Sequence, residues 1–136
     1  MQSLLITAFA LAGVGMAQAQ SSAPAMPAKI GTVYTGDVIN GKKVVSYLDT
    51  ADLEPGKKHL LYFQGVQMST GQYWYVSVIV AKGAKPGKRV TLSSGVHGDE
   101  MSSVHTVQTV MGRLNASEMS GTVMAVLDIA RPAMES

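Results

Sequence analysis

From Thr32 onward the chain reads as short apolar runs separated by turn residues. Thr32 to Ile39, Lys43 to Leu48, His59 to Val66, Tyr73 to Ala81 and Arg89 to Ser94 are rich in Val, Ile, Tyr and Thr, and this pattern predicts strands. Asn40-Gly41 lies between the first two runs and predicts a type I′ hairpin, a turn that needs positive φ at both central residues. Glu54-Pro55-Gly56, Ser69-Thr70-Gly71 and Lys85-Pro86-Gly87 punctuate the later runs as further turns.

The period changes after Ser94. Between Glu100 and Leu114 there is no Pro, and Met101, Val104, Val107, Val110 with Met111, and Leu114 recur every three or four residues, which predicts a helix with one apolar face. Asp99 can cap its first turn. Thr122 to Ile129 is nearly continuous apolar text and predicts a strand buried on both faces. Strand, helix and strand in this order make a βαβ unit whose two strands run parallel. The expected fold class is therefore α/β: a mixed β-sheet with antiparallel N-terminal strands and a C-terminal βαβ unit.

Composition narrows the function. The 136 residues hold 11 Lys+Arg against 9 Asp+Glu, so no basic stripe for a phosphate backbone exists and nucleic acid is not an expected partner. The absence of cysteine excludes a disulfide framework, a thiolate zinc site and a cysteine nucleophile, leaving His and carboxylate as metal ligands. Met1 to Ala19 carries no charged side chain, has a short apolar core and ends in Ala17-Gln18-Ala19, the pattern of a signal peptide (1-19) cleaved after Ala19. The expectation is an exported chain, periplasmic or secreted, with no integral membrane segment after cleavage. Residues 20-29 are small, polar and Pro-containing and read as a flexible leader, and the folded part is expected over 30-136.

The candidate chemistry sits at the tip of the βαβ unit, in Ser94-Gly95-Val96-His97-Gly98-Asp99-Glu100. The strand before it, read as buried, delivers His97 and Glu100 to a loop at the carboxyl end of the sheet, where ligand sites of open α/β folds gather. An imidazole and a carboxylate three residues apart across such a turn can converge on one cation, and this donor pair suits zinc. Catalytic zinc takes three protein ligands, of which His97 and Glu100 are two. A helix-opening Glu serves equally as a solvated cap, so the spacing alone leaves both roles open.

Three stretches read together add to this. Lys82-Gly83-Ala84-Lys85-Pro86-Gly87-Lys88-Arg89-Val90-Thr91-Leu92, the loop Ser94 to Glu100, and Ser120-Gly121-Thr122-Val123-Met124-Ala125-Val126 resemble, in order, the Gly-x-x-Pro-Gly turn, the Gly-x-His-Gly-(Asp/Asn)-Glu metal loop and the Gly-Thr-Val strand of the succinylglutamate desuccinylase and aspartoacylase family, a branch of the zinc carboxypeptidase-like hydrolases. The resemblance covers roughly residues 73 to 134. It implies an incomplete zinc-carboxypeptidase-like fold in which His97 and Glu100 bind one Zn2+, and a deacylase acting on amide or ester bonds of N-acyl amino acids or similar small molecules. It also implies a third ligand His, an Asn-Arg pair and a general-base Glu later in the chain, beyond Ser136, so that this chain corresponds to the N-terminal part of such a catalytic domain. Arg131 stands before Pro132 where the family has Asn, a departure at the strand end.

Other residues read more plainly. His105, on the helix, points about 140° away from Glu100 and is expected at the surface. His59 opens a strand outside the matched text. Asp128, in an apolar strand, is expected at its carboxyl end facing the same cleft, as a supporting carboxylate. Tyr73-Trp74-Tyr75 is read as cross-strand packing, the nine methionines as core filling, and Lys82, Lys85, Lys88 and Arg89 as a solvated patch that could draw an anionic acyl substrate inward. A second reading is a non-catalytic binding or structural module derived from the same fold. In either case one uncovered sheet face and edge invite self-association.

Overall fold

The computed structural model describes residues 28–97 and 101–129. Six strands and one helix follow in the order β1 (Val33–Ile39), β2 (Lys42–Tyr47), β3 (Lys57–Gln67), β4 (Tyr73–Lys82), β5 (Lys85–Ser93), α1 (Met101–Arg113) and β6 (Ser120–Val126). The strands form one sheet in the order β1-β2-β3-β4-β6-β5. The predicted strands and helix are present, and the sheet is mixed. Pairs β1/β2, β3/β4 and β4/β6 are antiparallel, and β5/β6, which flank α1 in sequence, are parallel. The signal peptide expected at 1-19 and most of the leader lie outside the described residues. Lys29, at the end of that leader, forms an ion pair with Asp49 at 3.0 Å.

Asn40 and Gly41 both have positive φ, 49° and 75°, as the two-residue hairpin between β1 and β2 requires. The pairing of β2 with β3 departs from the expected run of antiparallel strands, since these two are parallel, with Val44 opposite Tyr62 and Val45 opposite Phe63. The chain from Leu48 to Gly56 therefore crosses over the sheet. A 3-10 turn at Thr50–Asp52 shapes this crossover, capped by Asp49, whose Oδ1 accepts from the Ala51 N–H at 2.8 Å. Leu53 is thereby buried against Leu61, Val78 and Val80.

That crossover covers part of one face; α1 covers the other. Met111 is only 1% exposed and packs, with Val107 and Leu114, on Ala81, Ala125 and Leu127. Burying such side chains stabilises by about 1.5–3 kcal/mol each. The helix is narrower in its apolar face than its period predicts, because Met101 is 62% exposed and Val110 lies half out of the contact. Lys58 Nζ donates to the Gly112 carbonyl at 3.0 Å, placing a cation at the negative end of the helix dipole.

Two expectations about the βαβ strands change. The strand carrying the candidate loop, β5, is the edge of the sheet and is exposed along most of its length, not buried, because β6 inserts between β4 and β5 and nothing described lies beyond it. Strand β6 is interior in the sheet, but Thr122, Met124 and Val126 are only half-buried, Met124 packing partly against the Leu53 cluster. The turn read at Lys85-Pro86-Gly87 is the start of β5. Those residues do not reverse the chain; they pass the entry of β6, where a Cβ on Gly87 would stand 2.7 Å from the Gly121 nitrogen. No helix among the described residues is long and apolar enough to cross a membrane.

Candidate functional site

Because β5 and β6 are parallel, their carboxyl ends emerge side by side, and the segments Ser94 to His97 and Leu127 to Ile129 lie together. Backbone bonds stitch them. The Ser94 N–H donates to the Val126 carbonyl at 3.1 Å, the Ile129 N–H donates to the Ser94 carbonyl at 3.2 Å, and the Leu127 N–H reaches the Ser77 carbonyl at 2.9 Å. Gly95 then turns with φ 68°, and its N–H donates to Ser103 Oγ in the first turn of α1 at 3.2 Å. One side of the loop is thus tied to the sheet and the other to the helix.

Glycine at 95 is required twice. The positive φ strains any residue with a Cβ, and a Cβ there would stand 2.9 Å from the Asp128 Cα and 3.3 Å from Val104 Cγ2. Asp128 also has a positive φ, 55°, and is half-buried. The expectation that Asp128 ends its strand beside the candidate loop matches this placement. Ser94 is 2% exposed, and its Oγ has no hydrogen-bond partner among the described residues. In the sequence Ser94 belongs to the candidate stretch without a role of its own, and Ser103 lies outside it. A small hydroxyl residue preceding a glycine at a strand end is the one signal that pointed to the first; nothing marked the second.

His97 follows on the exposed side of the loop, with no hydrogen bond to another described residue. Gly98, Asp99 and Glu100 lie outside the described residues, as do Arg131 and Pro132. The structure therefore places His97 and Asp128 on adjacent loops and gives no position for Glu100. An accessible imidazole whose ring nitrogens bond to no other described residue fits a metal ligand in its donor chemistry. Among the described residues no three His, Asp or Glu gather as a metal-binding group.

The remaining histidines are placed elsewhere. His59 Nε2 donates to the Glu54 carbonyl at 2.8 Å at the start of β3, and His105 is exposed on α1. Of the positive patch, Lys85, Lys88 and Arg89 are exposed as expected, whereas Lys82 Nζ donates to the carbonyls of Ala51 and Leu53 and so pins the β2–β3 crossover to β4. Tyr75 and Tyr73 stand opposite Gln64 and Gln67 of β3, the cross-strand placement expected of them.

Neither a protein-family profile nor a curated protein matches this sequence. Among solved structures, the fold matches a succinylglutamate desuccinylase/aspartoacylase from Rhodobacter sphaeroides with a TM-score of 0.50 and 22% sequence identity, over 62% of this chain and 27% of that one. The chain thus spans about a quarter of the length of the solved protein it matches. In fold, the chain is similar to part of a succinylglutamate desuccinylase/aspartoacylase.

Proposed function

We propose that this chain belongs to an exported zinc-dependent hydrolase that cleaves amide or ester bonds of N-acyl amino acids or similar small molecules. The observation that carries the reading is the position of His97, exposed on a loop at the carboxyl end of a parallel βαβ pair, whose Gly95 turns against Asp128 of the neighbouring strand end. This is where open α/β sheets collect ligand sites. The family-like order of the Lys82 to Leu92, Ser94 to Glu100 and Ser120 to Val126 stretches supports the same reading.

In it, His97 and Glu100 hold the metal. Bound zinc supplies a Lewis acid that lowers the pKa of water and polarises a carbonyl. This chain's own residues do the positioning: Gly95 lets the loop turn against Asp128, the Gly95 N–H to Ser103 Oγ bond fixes it to α1, and the Ser94 backbone bonds fix it to β6. His97 is thereby presented to solvent on a base that the sheet holds rigid.

The test is hydrolysis of a panel of N-acyl amino acids by the natural gene product, before and after treatment with a chelator. Activity lost on chelation, restored by zinc and abolished by His97→Ala is the expected result. Activity indifferent to metal removal would overturn the reading, and zinc bound through His97 without turnover would remove the enzyme while keeping the metal loop.

A further inference from the structure

On the sheet face opposite α1, two adjoining clefts of about 270 and 330 Å³ share Leu48 and Met124 and so form one groove. One end is apolar, lined by Leu48, Phe63, Val78, Met124 and Val126. The other carries the guanidinium of Arg89 with the hydroxyl residues Thr50, Thr91 and Thr122. The register sets the direction: Arg89 lies opposite Thr122, and Val126 lies four residues further along β6, about 13 Å at strand rise.

The charge at the polar end is balanced only at a distance: after the Ala51 N–H and Lys29, Arg89 helps hold the Asp49 carboxyl below its ordinary value without bonding to it. Arg89 donates no hydrogen bond and makes no ion pair with another described residue. Asp49 lines the same cleft, but both of its oxygens are engaged, Oδ1 by the Ala51 N–H and Oδ2 by Lys29. A guanidinium fork with no hydrogen-bonded partner among the described residues is matched by a carboxylate, which it can bind through two parallel N–H bonds. The apolar end is matched by a hydrocarbon.

We infer that this groove binds a medium-chain alkyl carboxylate, with its acid group on Arg89 and its chain laid along Met124 toward Val126. The acid gives orientation and the chain gives buried apolar area. The site is separate from the His97 loop and does not depend on the zinc reading.

Titrating decanoate into the chain by calorimetry, with decanol as the uncharged control, tests this. Saturable binding at one site is expected, weakened about tenfold or more by Arg89→Gln, partly kept in Arg89→Lys, and unchanged in His97→Ala. Decanol should bind weakly and equally to wild type and Arg89→Gln. Because Arg89 is exposed, its variants should keep the wild-type circular dichroism spectrum. Non-saturable binding, equal decanoate affinity in wild type and Arg89→Gln, or sedimentation showing that a second copy of the chain covers this face would overturn the inference.

Discussion

The backbone of Gly95 runs so close to Asp128 that a Cβ at position 95 would lie 2.9 Å from the Asp128 Cα. Two strand ends are held together at this point, and the candidate ligand His97 is two residues away. Gly95→Ala should therefore destabilise the fold by about 2 kcal/mol or more, through positive-φ strain combined with backbone overlap. Urea denaturation measures it; a midpoint within error of wild type would show that the two loops can separate without cost.

A second close approach lies at the opposite end of the same strands. Gly87 of β5 abuts Gly121 of β6, where φ is 88° and a Cβ on Gly121 would collide with the Lys88 carbonyl oxygen. Backbone cannot yield there as a side chain could. Gly121→Ala should leave little folded protein, whereas Gly112→Ala, at a helix position with open space around it, should be neutral or slightly stabilising. Comparing soluble yield and thermal midpoint of the two variants separates a local packing constraint from a general intolerance of alanine.

Lys82 links the crossover to the sheet through the Ala51 and Leu53 carbonyls. Lys82→Met keeps most of the stem and removes both bonds, leaving those carbonyls without their ammonium donor. A loss of about 1–3 kcal/mol in urea is expected. An unchanged stability would mean that the crossover is held by Leu53 burial alone.

Asp49 and Glu54 determine how the crossover responds to acid. The Ala51 N–H and then Lys29 hold the Asp49 carboxyl below its ordinary value, and Lys57 does the same for Glu54. A depressed carboxylate pKa stabilises the folded state above the unfolded value and loses that contribution as pH falls through the folded one. Stability should thus decline below about pH 4. Asp49→Asn should flatten that decline, read as the urea midpoint between pH 6 and pH 3; an equally steep acid limb in the variant would assign it to other groups.

Much of this architecture was legible in the chain because it is local. The β-branched and aromatic text of Tyr73 to Ala81, Asn40-Gly41 and the three-and-four spacing from Val104 to Leu114 each specify their own element. Strand pairing is not local, and the parallel β2/β3 pair had no sign in the sequence, since Lys43 to Leu48 reads the same beside either neighbour. Pro86-Gly87 signals a turn in the sequence for a related reason: the glycine serves a contact with Gly121, far away in sequence, and not a chain reversal. At the site, His97 and Asp128 stand out by residue type, while Ser94, which holds the loop through its backbone bonds, and Ser103, which holds it through its hydroxyl, do not.

The central claim, that the loop after β5 is a metal loop built on His97, is tested most directly by a zinc titration of wild type and His97→Ala under identical conditions. The account predicts a saturable wild-type isotherm that His97→Ala abolishes and Gly95→Ala weakens. Superimposable isotherms for wild type and His97→Ala would contradict it.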